Sequence, residues 1–244
     1  MAHAANSIFA GSVSGLIFSS TAGFYQLFDM GEILSNVSKM ARNQGLQFGV
    51  RVWNCGTTIG TVDKNDGNYL QLISLFDFII CTMMPKESSY SQGPEVFFKE
   101  VTNGILKVEE NMREMRKETN IMVETGWASI LNGSNGRELN DMKTFWEMMG
   151  QWANKEKKLV FMSEAFDNPW KMSVKDVHLA AHYGLWRHLE TEDNSRKAYA
   201  RKVLEVNTHN QPRTSAAARN KQSFCGLTTL IFLLGGFVAY SHKF

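Results

Sequence analysis

The feature that most constrains this chain is a repeated one: short apolar runs of strand length, each followed by a stretch with helical spacing. The clearest run is Ile121-Met122-Val123, whose β-branched content reads as a buried strand and which stops at Glu124-Thr125-Gly126-Trp127-Ala128-Ser129. A carboxylate at the end of a buried strand, with Thr-Gly-Trp turning an indole beside it, suits a site that cleaves sugars. Such an acid attacks or stabilises an anomeric carbon, and the ring packs on the apolar face of a pyranose. Further on, Phe161-Met162-Ser163-Glu164-Ala165-Phe166-Asp167-Asn168-Pro169-Trp170-Lys171 repeats the order of apolar strand, acids and tryptophan.

Strand-like runs fall near residues 13–18, 47–53, 75–80, 121–123 and 159–163. Between them, residues 31–44 place Ile33, Leu34, Val37, Met40 and Ala41 at helical spacing, and residues 94–117 do the same with Phe97, Val101, Ile105, Val108 and Met112. Glu109, Glu110, Arg113, Glu114 and Lys117 mark the solvated face of that second helix. Residues 68–74 and 139–152 read as further helices, and 174–189 closes the folded part. Strand alternating with helix implies a parallel α/β architecture. About five β/α units are present, whereas a complete eight-unit barrel takes about 250 residues and this chain has 244, the last thirty or so spent on something else. The expected fold is therefore a partial (β/α)8 TIM-type barrel: either an N-terminally truncated product, or a half-barrel whose exposed strand edges pair with something else.

Three motifs carry a resemblance. Val123-Glu124-Thr125-Gly126-Trp127-Ala128-Ser129 resembles the E-T-G-W-P-S nucleophile motif of glycoside hydrolase family 17, the β-1,3-glucanases. Glu164-Ala165-Phe166-Asp167-Asn168-Pro169-Trp170-Lys171 is similar to that family's E-A-F-D-E-P-W-K, and Ala181-His182-Tyr183-Gly184-Leu185-Trp186 to its E-A-H-W-G-L-F. The likeness covers residues 50–186, the C-terminal part of the family's barrel. It implies retaining hydrolysis of β-1,3-glucan, with Glu124 as nucleophile and Trp127, Glu164, Asp167 and Trp170 binding substrate or shaping the cleft. It implies structural roles for His182 and Trp186, and no cofactor or metal. Trp53 fits a tryptophan of the family's fifth strand. Two positions depart from the pattern: Tyr25 stands where the family's acid/base Glu is expected after Gly23 and Phe24, and Thr82 near its usual His. Glu32 is the nearest acid to the donor position, but at a helix start it reads as dipole compensation. Without a donor the expectation becomes a catalytically inactive, membrane-anchored glucan-binding or interaction protein. For Glu164 and Asp167 an ion pair with Lys171 or a helix cap is an equal reading.

The domain expectation is residues 1–189 as the glycosidase domain, 190–222 as a polar linker and 223–241 as a membrane-anchoring helix. Residues 224–240 form a seventeen-residue run without charge, near the lower limit for a span, and small residues at 215–217 leave a lipid-anchor signal as the other reading. Arg213, Arg219 and Lys221 before the run and Lys243 after it place the folded part on the cytoplasmic side by the positive-inside rule, whereas the family favours an extracellular or cell-surface domain. A net charge of +2 gives no electrostatic reason to expect nucleic acid. The three cysteines show no metal spacing; Cys55 and Cys81 read as separate buried thiols, with a disulfide as the other possibility, and Cys225 lies in the tail. Asn36-Val37-Ser38 and Asn132-Gly133-Ser134 satisfy the glycosylation sequon.

Overall fold

The computed structural model describes residues 5–7, 11–19, 26–60, 63, 66–115, 117–129, 137–168, 171, 178–189, 198–201, 232–234 and 237–240. Five parallel strands run β1 (Gly15–Ser19), β2 (Gln47–Trp53), β3 (Phe78–Met83), β4 (Asn120–Gly126) and β5 (Val160–Ser163), each paired with the next in sequence. The connecting helices are α1 (Gln26–Asp29), α2 (Gly31–Asn43), α3 (Cys55–Thr58), α4 (Gly67–Ile73), α5 (Glu87–Gln92), α6 (Pro94–Glu114) and α7 (Arg137–Glu156). This is the expected run of five β/α units. A 3-10 turn follows at His178–His182, then a two-stranded antiparallel sheet of β6 (Trp186–Leu189) and β7 (Ala198–Arg201). Strand β7 falls inside the stretch expected as a polar linker.

Alternation along the strands divides the side chains into two sets. Phe48, Val50, Val52, Ile79, Cys81, Met83, Ile121 and Val123 face the helices and belong to the main buried cluster. Phe97, Val101, Ile105, Val108 and Met112 of α6 meet them at steps of three and four, as the sequence pattern requires. The opposite, inner face carries a second cluster of Ile17, Phe78 and Ile80, flanked by Met122 and Phe161. Gly49 is required there: a Cβ would stand 2.2 Å from the Phe78 ring, which lies over it. Gly126 is required at the mouth of β4, where a Cβ would fall 2.3 Å from the Ser163 carbonyl oxygen.

Two expectations are corrected. The first is helix over the described part of 223–241, the stretch expected as a membrane-anchoring helix. Within it, Phe232–Leu234 and Phe237–Tyr240 form strands β8 and β9, and β9 pairs antiparallel with β1, giving the sheet order β5-β4-β3-β2-β1-β9-β8. Among the described residues no helix is long and apolar enough to cross a membrane. The physical reason is the open edge of β1, whose backbone groups need partners. A run of β-formers split by Gly235-Gly236 is a hairpin sequence suited to supply them. The second correction concerns Cys55 and Cys81. They are not separate thiols but a disulfide, with Cα atoms 5.4 Å apart. Cys225, the 132–134 sequon and residues 224–231 lie outside the described residues. At the other sequon Asn36 sits within α2 and Ser38 is buried, its hydroxyl donating to the Leu75 carbonyl at 2.9 Å.

Trp127, expected to line the cleft, is 0% exposed. It stands three residues after Glu124, turned toward the helices, and packs against Tyr90, Phe97 and Phe145 with ring centroids 4.6, 6.0 and 5.6 Å away. It anchors the end of β4 rather than a sugar. Beside it the Tyr90 hydroxyl accepts the Ala128 N–H at 3.1 Å. Burial pushes the Tyr90 hydroxyl far up from its ordinary pKa, with Tyr183 adding to the shift. Burial also raises Tyr183, although its hydrogen bond to Tyr90 pulls it partly back.

Two outcomes follow from this packing. Trp127→Ala is expected to cost about 3–5 kcal/mol in urea unfolding, as core tryptophan truncations do. The tyrosine pair holds its protons in the folded state where the unfolded chain releases them. Its stabilisation is therefore full below about pH 10 and is lost as pH rises above it. Urea midpoints at about pH 8 and about pH 11 should show a drop at the higher pH, and Tyr90→Phe should remove part of that drop.

Candidate active site

The C-terminal ends of β2, β3, β4 and β5 bring four polar side chains together on the inner face. Glu124 of β4 is directly beside Thr82 of β3, and Thr82 beside Trp53 of β2, in register. Arg51 is one inner-facing position below Trp53 and crosses β3 to reach the acid. Its Nε donates to Glu124 Oε2 at 2.5 Å and its Nη2 to Oε1 at 2.7 Å, a two-pronged ion pair. Thr82 Oγ1 donates to Oε2 at 2.8 Å, and Ser163 Oγ stands 3.5 Å from Oε1. The Glu124 side chain keeps 15% of its surface exposed, so the carboxylate is held but reachable.

The indole joined to this acid is that of Trp53, two strands away and linked through Arg51, and not that of Trp127. Trp53 is 38% exposed, and the Arg51 guanidinium carbon lies 4.8 Å from its ring centroid. A stacked arginine fixes one side of the indole, and the partly exposed remainder can meet an apolar sugar face. Thr82, which departs from the family's His, binds the acid directly.

The other expected site residues serve the frame. Glu164 pairs with Lys171, and its backbone N–H donates to the Tyr183 carbonyl at 3.1 Å. Asp167 is buried and its Oδ1 accepts the Gly184 N–H at 3.0 Å, while its own N–H donates to the Trp186 carbonyl at 2.8 Å. These bonds tie the 181–186 segment to the end of β5. The His182 carbonyl accepts the Ser129 N–H at 3.0 Å. Trp186 pairs with Phe166 through a parallel bridge, and both rings are partly exposed. Trp170, Phe24 and Tyr25 lie outside the described residues. Glu32 is exposed in the first turn of α2. An open groove of about 870 Å³ lined by Phe28, Glu32, Lys39, Asp66 and Gln71, among others, lies on the helical side of the sheet and holds none of the expected substrate residues.

Arg51 and Thr82 escape a reading of single segments. The signal that finds them is parity: each interrupts an apolar strand at an inner-facing position near its C-terminal end, Thr82 level with Glu124 and Arg51 one inner-facing position lower.

No protein-family model and no curated protein matches the sequence. Among solved structures, the chain is similar to an endo-laminarinase from Formosa Hel1_33_131, at 17% identity and a TM-score of 0.56, over 66% of this chain and 49% of that one. A glycoside hydrolase family 17 β-1,3-glucanosyltransferase from Rhizomucor miehei matches at 12% identity and a TM-score of 0.47, over 66% and 53%. An active-site mutant of the Rhizomucor enzyme in complex with laminaritriose matches at 12% and 0.48, over 65% and 53%. The chain thus spans about half the length of these structures. At 17% identity the likeness to the endo-laminarinase shows the fold alone.

Proposed function

We propose that this chain is a glycoside hydrolase acting on β-1,3-glucan with retention of configuration, and that Glu124 is its nucleophile. The observation that carries the reading is Glu124 at the C-terminal mouth of β4, on the inner face, reachable and joined through Arg51 to a partly exposed indole. In α/β barrels this end of the strands is where reacting groups stand. A carboxylate there can bond to an anomeric carbon, forming the glycosyl intermediate of a retaining mechanism, which water then releases. β-Glucan is the partner because Trp53 offers a stacking surface and the sequence motifs around Glu124 and Glu164 resemble those of β-1,3-glucanases. An extracellular or cell-surface location belongs to the same reading, supported by the Cys55–Cys81 disulfide, since such bonds persist in oxidising compartments.

A second reading, a glucan-binding protein without turnover, is favoured by one observation: among the described residues the other acids of the motifs, Glu164 and Asp167, are committed to Lys171 and to the Gly184 N–H. Incubation with laminarin separates the two. Hydrolysis predicts release of reducing sugar that Glu124→Gln lowers by on the order of 10⁴-fold or more, the scale seen when a nucleophile is removed. A wild-type chain that retains laminarin on an affinity gel but releases no reducing sugar overturns the enzyme reading in favour of the binding one.

A further inference from the structure

The two oxygens of Glu124 are not equivalent. A carboxylate oxygen offers two lone-pair sites. Oε2 has both filled, by Arg51 Nε at 2.5 Å and Thr82 Oγ1 at 2.8 Å. Oε1 receives Arg51 Nη2 at 2.7 Å, and its second contact, Ser163 Oγ, stands at 3.5 Å, the outer limit of a hydrogen bond. The guanidinium fork is planar, so it fixes the plane of the carboxylate as well as its position. The Trp53 ring, with its centroid 4.8 Å from the guanidinium carbon, in turn packs against that plane.

We propose that Arg51 is a positioning residue that commits Oε2 to the scaffold and leaves Oε1 as the attacking oxygen, so that the sugar approaches from the β5 side, past Ser163. The proposal rests on the hydrolase reading. In the step it describes, a lone pair of Oε1 forms a bond to the anomeric carbon while the bond from that carbon to the leaving oxygen breaks, its electron pair departing with the leaving group. Water later attacks the same carbon, releases the sugar, loses one proton to solvent and restores the carboxylate. Throughout, Arg51 keeps its two protons on the acid and reorients nothing. An arginine that only stapled β2 to β4 would affect stability alone, whereas one that aims Oε1 affects the chemical step.

A 2,4-dinitrophenyl β-laminaribioside tests this, because its leaving group departs as an anion and needs no proton donor. Arg51→Gln is expected to lower kcat about 10²-fold, the cost of misplacing a reacting atom by about 1 Å, with KM changed less than about twofold. Arg51→Lys, which restores the charge without the fork, should recover only part of that loss. Thr82→Val, which removes a donor from Oε2 without touching the ion pair, should lower kcat several-fold at unchanged KM. It carries the test if the Arg51 variants fail to fold. The proposal is overturned if Arg51→Gln turns over like the wild type, if Lys restores activity fully, or if Thr82→Val leaves kcat unchanged. Glu124→Gln keeps the two failures apart: full turnover by that variant means that the hydrolase reading itself has failed. If it is inactive while Arg51→Gln is unimpaired, only the positioning role is lost.

Discussion

Five neighbouring parallel strands whose side chains alternate between two faces impose everything else in this molecule. One set must be covered by helices, and it is: the apolar residues of β2, β3 and β4 meet α6 and its neighbours in a single buried cluster. The other set faces inward, where most positions are filled by Ile17, Phe78, Ile80, Met122 and Phe161. Polar residues are tolerable on that face only where they satisfy one another, because burying an unpaired charge costs far more than burying a methyl group. The Arg51–Glu124 pair with Thr82 is such a solution, and it occurs where the strands open to solvent. The site is thus a product of the same alternation that builds the core.

The edge of the sheet is the second constraint. Five parallel strands leave unpaired backbone groups on both flanks, and an uncovered flank is a template for unwanted pairing. Strand β9 takes the β1 flank in antiparallel register, with Gly15 opposite Tyr240 and Phe18 opposite Phe237. Within an apolar C-terminal run whose hydropathy suits a lipid bilayer, residues 232–234 and 237–240 pair as strands at the sheet edge. Both destinations satisfy the same need, to pair every backbone polar group away from water. The difference is that a sheet edge is available here, and the Gly-Gly pair suits a hairpin.

Much of this was legible in sequence, and the misreadings have physical causes. The five strands and the long helices follow from apolar runs and from three-and-four spacing, and Glu124 follows from an acid ending a buried run. The nearness of Trp127 to Glu124 along the chain suggests a cleft residue. In space the chain turns it to the helix side, and Tyr90, Phe97 and Phe145 offer it a closed apolar slot. Arg51 and Thr82 escape the sequence because nothing local reveals which inner-facing positions on three strands come within reach of one another; register does. The Cys55–Cys81 bond is hidden in the sequence for a similar reason, since twenty-six residues of separation say nothing about a Cα distance of 5.4 Å. Glu164 and Asp167 illustrate the opposite case, in which the ordinary reading of a motif acid, as a partner for a lysine or for backbone N–H groups, describes the geometry.

Chemically, the site joins a fixed carboxylate to a fixed indole through one arginine. That arrangement has a direct chemical signature. A 2,4-dinitrophenyl 2-deoxy-2-fluoro-β-laminaribioside should react with the carboxylate but release it slowly, since the fluorine destabilises the charge that develops on the sugar ring. After digestion, mass spectrometry should find one disaccharide unit attached to the peptide that contains Glu124, and fragmentation should place it on that residue. A label carried by any other side chain, or none after prolonged incubation, would contradict the assignment of Glu124 as the nucleophile.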